Sequence, residues 1–305
     1  METGTAKVID KKVYTSPAAA VPPKRSSVKR FLKVFLARKV VVFSLFVLLS
    51  LVFVAIFAPL VAPYDPYYQD LTKSLQKPSM EHLLGTDMLG RDVLSRIIYG
   101  SRVSIAVGIV SVIIAGGIGM ILGLIAGYFG GFIDSIIMRF MDAMMAIPMI
   151  ILALFIGSAL GGGLDSVMIS LGIALVPSYA RLTRGQVLSV KESDYVLAGT
   201  ISGTSNFKNM FVHVLPNSLS PIIVLVTMNL GIAILAEAAL SFLGMGINPP
   251  GAAWGAMVNE GYKYLMSQPV LSIAPGIAII IVVLSFNIVG DALRDALDPR
   301  LRGRI

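Results

Sequence analysis

The chain has 305 residues, 56% hydrophobic and 14% charged, with a mean hydropathy of +0.82. Soluble domains carry about 25% charged residues, so the composition excludes an ordinary globular protein and points to an all-α polytopic membrane protein. The absence of cysteine excludes disulfides and thiolate metal sites, and the net charge of +8 traces to the basic residues between Lys7 and Lys39, set against Glu2 and Asp10. Such a cluster directly before an apolar run reads as a topology signal at anionic lipid rather than a nucleic-acid surface.

Residues 1–38 read as a basic, largely disordered cytoplasmic tail, with few large apolar residues and with Pro17, Pro22 and Pro23. The apolar run from Val40 to Pro63 is too long for a signal-peptide core. At roughly 36 Å as helix it crosses a bilayer, so 39–99 reads as a first transmembrane helix plus an external segment. In that segment Asp92 to Ile98 predict a short amphipathic surface helix, with Val93, Leu94, Ile97 and Ile98 toward lipid.

A core over 100–291 follows. Its first span, about Ser101 to Phe129, carries Gly119, Gly123 and Gly127 on one helix face, a smooth stripe that suits either internal packing or a subunit interface. After a tight turn at Gly130-Gly131, a span from about Phe132 to Leu160 should kink at Pro148, with Arg139 and Asp142 placed to pair along the helix. The next span, about Asp165 to Gln186, contains Pro177, and Arg181 and Arg184 can snorkel to the inner surface. A fifth span covers about Asn217 to Met245, and an external turn follows at Asn248-Pro249-Pro250-Gly251. A sixth covers about Pro269 to Val289, before a cytoplasmic segment over 292–305. The distribution of Lys and Arg agrees with six spans and both termini inside.

The loop at about 187–217 is the sizeable polar interruption. Ser193 or Asp194 can cap a helix to about Ile201, stopped at Gly203, and Ser205 or Asn206 can cap a second helix. On that second helix Phe207, Met210, Phe211 and Val214 form one stripe, with Lys208, Asn209 and His213 opposite. This pattern fits an amphipathic loop resting on lipid or a knob for a partner's groove. Within the spans, Glu237 is a candidate for a solute path or for a hydrogen-bonded helix contact, and Asn287 for the path or for packing. His82 and His213 fall on opposite sides of the membrane and cannot share a metal. Neither a Gly-x-Ser-x-Gly elbow nor a phosphate loop occurs, so no catalytic residues are assigned and nucleotide hydrolysis is not expected of this chain.

The loop resembles the coupling loop of ATP-binding-cassette (ABC) importer permeases, in particular the C-type subunit of the peptide, oligopeptide and nickel branch. Ala198, Gly203, Leu215 and Pro216 match that family's Glu-Ala-Ala pattern at its spacing, whereas Leu197, Gly199 and His213 depart from it. Gly199 is expected to soften the first helix, by about 1 kcal/mol. Similar blocks extend along the chain: His82 to Asp87 with Leu89 to Asp92, Ala180 to Gln186, Leu240 to Gly244 with Trp254-Gly255, and Gly290 to Pro299.

The resemblance implies a type I ABC importer permease fold, one N-terminal helix plus a five-helix core, in the plasma (inner) membrane of a prokaryote. It implies an ATPase-coupling loop using Asp194, Tyr195, Ala198, Gly203, Phe207, His213, Leu215 and Pro216. It also implies a homologous second permease, two ATP-binding ATPase subunits that hold the ATP and magnesium, an extracytoplasmic peptide-binding protein and surrounding lipid, with no cofactor in this chain. The expected function is import of di- or oligopeptides. A nickel-importing permease is the nearest alternative, and an intramembrane enzyme or secondary transporter a more distant one.

Overall fold

The structure, a computed structural model, describes residues 27–247 and 250–297. The tail expected over 1–26, Asn248-Pro249 of the external turn, and 298–305 of the C-terminal segment lie outside the described residues. Within the expected tail, Ser27–Phe35 is a helix, α1. It leads into α2 (Lys39–Ile56) and the single turn α3 (Ala58–Val61). There follow α4 (Val93–Phe129), α5 (Gly131–Met145), α6 (Met149–Ala159), α7 (Leu164–Lys191) and α8 (Asp194–Ile201). The chain closes with α9 (Asn206–Phe242), α10 (Trp254–Tyr262) and α11 (Val270–Leu297). Five helices are long and apolar enough to cross a membrane, and the bent pair α5 and α6 makes a sixth span. Among the described residues, extended pairing is confined to one isolated bridge between Thr86 and Asp92.

The surface is inverted relative to a soluble protein. Phe43, Phe46 and Leu49 on α2, Ile113 and Ile121 on α4 and Ile280 and Leu284 on α11 are exposed, while Ser104, Ser111, Ser170 and Asn229 are buried. Hydrocarbon solvates the former; the latter need protein partners, and Ser111, for example, donates to the Met168 carbonyl at 3.0 Å. The most extensive packing joins α4 to α7, and the glycine stripe makes it possible. A Cβ on Gly119 would lie 2.5 Å from Tyr179 Cβ, one on Gly123 2.4 Å from the Ala180 carbonyl, and one on Gly127 2.8 Å from Val187 Cγ1. The stripe therefore serves internal packing.

The predicted amphipathic surface helix does not exist as such. Residues from Val93 onward are the first turns of α4, which Asp92 caps by accepting from Ser95 N at 2.7 Å. Val93 and Ile98 are buried rather than lipid-facing, Val93 in a core with Trp254, Met257 and Leu271. Trp254 Nε1 donates to the Ile97 carbonyl at 2.9 Å. Residues 64–92 fold over this end as a cap with Asp87, Arg91 and Asp92 turned inward. Arg91 Nε donates to Asp87 Oδ2 at 2.6 Å and Arg91 also reaches Glu260 at 3.2 Å, while Arg96 lies 3.5 Å from Asp87. His82 Nδ1 stands 3.0 Å from Asp92 Oδ1.

Two expectations about the third span also change. Pro148 does not merely kink it: α5 and α6 meet at 94°, because proline lacks an N–H and its ring excludes the carbonyl four residues back. Arg139 does not hold Asp142. That carboxylate pairs with Arg181 at 2.5 Å, and Asp134 with Arg184 at 2.5 Å, so the pairs tie α5 to α7 instead of running along one helix.

Candidate functional site

The loop between α7 and α9 lies at the opposite end from the cap. Ser193 is extended (φ −74°, ψ 144°), and its Oγ donates to the Val190 carbonyl at 2.5 Å instead of capping α8. Asp194 sits in the first turn, where a carboxylate complements the helix dipole. Gly203 ends α8 at φ +81°. Its N–H donates to the Thr200 carbonyl at 3.1 Å, and Thr204 N–H to the Gly199 carbonyl at 3.0 Å. That pair of bonds is the Schellman motif, which places its turning residue in the left-handed region. The surrounding space at Gly203 is open, so conformation and not room demands glycine there.

The second helix is not separate from the fifth span. It begins at Asn206, with Ser205 Oγ accepting from Lys208 N at 3.4 Å, and passes through a π segment at Asn209–Val214 into Leu215 without a break. Pro216 thus lies within a continuous helix. Its ring excludes the Val212 carbonyl, and the widened π turns directly before it accommodate that loss. Side chains take up neighbouring carbonyls: Asn217 Nδ2 donates to His213 O at 2.6 Å and Ser218 Oγ to Val214 O at 2.9 Å. His213 is half-buried and Leu215 packs beside the core under the loop.

The π segment also splits the predicted stripe. Met210 and Val214 turn inward, joining Leu124, Val187 and Val196 in a core between loop and bundle. Phe207 and Phe211 turn outward and pack on each other in a tilted pair with centroids 4.6 Å apart. Asn209, expected on the polar face, is fully buried instead. Its Nδ2 donates to Thr200 Oγ1 at 3.1 Å, joining the two halves of the loop. Here Gly199 has its physical reason: a Cβ there would stand 3.2 Å from Asn209 Oδ1. Tyr128 at the end of α4 adds a second clip, with its hydroxyl 3.1 Å from Asn206 Oδ1 and its carbonyl accepting from Lys191 Nζ at 2.7 Å. Neither clip was legible in sequence, because Tyr128 and Asn209 carry no periodic signal that separates a buried polar contact from a solvated one.

Outside this fastened base, the loop presents apolar surface. Ile201 is 88% and Phe207 72% exposed, with Tyr195, Leu197, Phe211 and Ala198 around them. The bulk of this patch is aromatic or branched aliphatic, mounted on a buried core and two polar clips.

A second unusual surface lies at the α5–α6 elbow. Met141 packs on Val176 and Ala180, which face Gly123 and Gly119 of α4, about 10–16 Å along that helix from Gly130 at 1.5 Å per residue. Asp142 follows Met141 at this depth, its pair with Arg181 60% and 53% exposed; the backbone breaks farther along, where α6 begins at Met149 without a side-chain cap, packed near Val112 and Leu175. Glu237 is buried, with Oε1 accepting from Ser241 Oγ at 2.6 Å and Oε2 without a partner among the described residues. Asn287 is half-buried beside Gly231. Neither residue lines the cleft of about 540 Å³ that opens at the loop end.

Residues 119–303 match the family described as the binding-protein-dependent transport system inner membrane component, and residues 26–78 match the N-terminal TM domain of oligopeptide transport permease C. The dipeptide transport system permease protein DppC of Alkalihalophilus pseudofirmus is 42% identical over 93% of this chain and 92% of its own length. The di/tripeptide permease DppC of Pseudomonas aeruginosa is 43% identical, covering 91% and 93%. The glutathione permease GsiD of Pectobacterium atrosepticum is 43% identical, covering 92% of each. Among solved structures, the MetNI methionine ABC transporter in inward-facing conformations is similar with a TM-score of 0.54 at 19% identity, over 67% of this chain and 96% of the matched one. At that identity the likeness concerns the fold alone, the type I importer permease fold.

Proposed function

This chain belongs to the family of binding-protein-dependent transport inner membrane components, and from that premise we propose that it is the membrane-spanning permease subunit of an ATP-driven importer of small peptides. The names of its relatives, which specify dipeptides, di/tripeptides and glutathione, support solutes of two or three residues. One observation carries the mechanism: the exposed apolar patch of Tyr195, Leu197, Ile201 and Phe207 stands on a base clipped to α4, α7 and α9. A partner that grips this patch moves the bundle rather than bending a loose loop. The partner on this reading is an ATPase subunit, one for each of two permeases, with the loop end cytoplasmic and the ATP and magnesium held there. The permease itself carries out no hydrolysis.

The elbow supports a second membrane chain. Broken backbone and an exposed ion pair at membrane depth are tolerated against protein or a water-filled cavity, not against hydrocarbon. A homologous permease covering the elbow satisfies both, with the solute path between the two chains and the capped end receiving the extracytoplasmic binding protein. On this reading Glu237 is a helix-contact group rather than a path residue.

Co-expression with affinity purification tests the proposal. A second permease and two ATPases should come down with this chain, and binding protein loaded with a short peptide should raise ATP turnover in liposomes. Robust ATP hydrolysis by the isolated chain would sink the reading.

A further inference from the structure

At the loop end α7, α9 and α11 diverge around the cleft of about 540 Å³, a volume within the usual range for small-molecule sites. Its wall is graded along α7 and α9. Gln186, Ser220 and Arg294 line it toward the loop end, whereas Leu182, Leu225 and Met228 line it deeper in the bundle. Pro221 also lines the polar level on α9 with Val224 just below it, and on α11 Leu297 lies nearer the loop end than Arg294. Asn217 lines the same level, but its amide already donates to the His213 carbonyl. Among the described residues, the donors facing an occupant are the Arg294 guanidinium, the Gln186 amide, the Ser220 hydroxyl and the second N–H of Asn217. Of the nearby carboxylates on α11, Asp295 is paired with Arg38 at 3.1 Å, and Asp291 is not part of the wall.

We propose that this cleft holds an anionic phospholipid from the leaflet on the loop side. Its phosphate would lie against Arg294, Gln186 and Ser220, and an acyl chain would follow Leu182, Leu225 and Met228 inward. The gradient carries the argument: the polar-to-apolar order of the wall matches the order a lipid imposes, headgroup at the interface and chain toward the midplane. A cationic group at the headgroup level then selects for negative charge. A solute in passage has no reason to find its polar contacts sorted by depth. The inference does not depend on which solute the importer carries.

The test uses the assembled importer in lipid nanodiscs of phosphatidylglycerol or phosphatidylcholine, followed by detergent extraction and native mass spectrometry of retained lipid. Phosphatidylglycerol should be retained about fivefold better than phosphatidylcholine, the factor expected for one arginine near the surface. Arg294→Gln should abolish that preference, Leu225→Trp should reduce retention of both lipids, and Lys263→Gln at the far end should change neither. Equal retention of the two lipids by the wild type overturns the proposal, as does an unchanged preference in Arg294→Gln. Displacement of the lipid by millimolar dipeptide also overturns it, because the cleft then belongs to solute. Should Arg294→Gln fail to fold, the wild-type headgroup comparison and Leu225→Trp still decide.

Discussion

The two ends of the bundle solve opposite problems. At the cap end, Arg91 and Arg96 are turned inward, nearly inaccessible, and face Asp87 and Glu260, while His82 is buried against Asp92. At the loop end, apolar groups are turned outward while a neutral amide, Asn209, is buried beneath them. A buried, mutually paired charge cluster holds one geometry, because separating any member leaves an uncompensated charge. An exposed apolar patch on a fixed base adds little to the chain's own stability and is available to another protein. The cap end should therefore fail by unfolding, and the loop end by losing communication.

That contrast can be broken or sharpened by substitution. Arg91→Ala takes from buried Asp87 its closer cation and leaves Arg96 at 3.5 Å as the remaining one, so up to about 3 kcal/mol should be lost; thermal unfolding in detergent would show it, and an unchanged midpoint would mean the cap is not held by charge. Asn209→Ala removes the bond from Nδ2 to Thr200 Oγ1, whose hydroxyl keeps its own bond to the Val196 carbonyl, and should cost about 1–1.5 kcal/mol, intermediate because the group is neutral. Gly203→Val forces a β-branched residue to φ +81°, a cost of about 1–2 kcal/mol. Its main effect should be ATP hydrolysis without transport, and normal transport by this variant would count against the knob. Ile201→Ser and Phe207→Ser should alter stability by no more than about 0.5 kcal/mol, yet abolish co-purification of the ATPases; retained association would remove the patch from the interface. Single cysteines at Ser205 and Met266 should leave stability untouched and label from opposite sides of the membrane, whereas labelling from one side would overturn the proposed orientation.

Much of this was legible in the residues. The unbroken apolar runs mark helices because hydrocarbon rewards no other arrangement, and the stop at Gly203 follows from a glycine after a polar helix end. The Gly119, Gly123 and Gly127 stripe announced close packing, although its partner, α7, could not be named from spacing. The start of α4 was hidden because Arg91, Asp92 and Arg96 look like surface residues. They are buried by residues 64–92 and by Glu260 from a distant helix, and no local pattern carries that information.

The loop likewise divides between what the chain states and what the fold decides. Residue types alone determined that a short helix with a glycine stop follows the fourth span and that Ser205 caps an aromatic-bearing helical turn, since propensity and capping act within a few residues. Only the tertiary structure decided which aromatics face out, because the π segment before Pro216 turns Met210 and Val214 into the core and leaves Phe207 and Phe211 outside. The same holds for Asp142, whose partner is Arg181 across the elbow and not Arg139 on its own helix. Helix periodicity ranks neighbours along one cylinder; the 94° bend at Pro148 chooses neighbours on another.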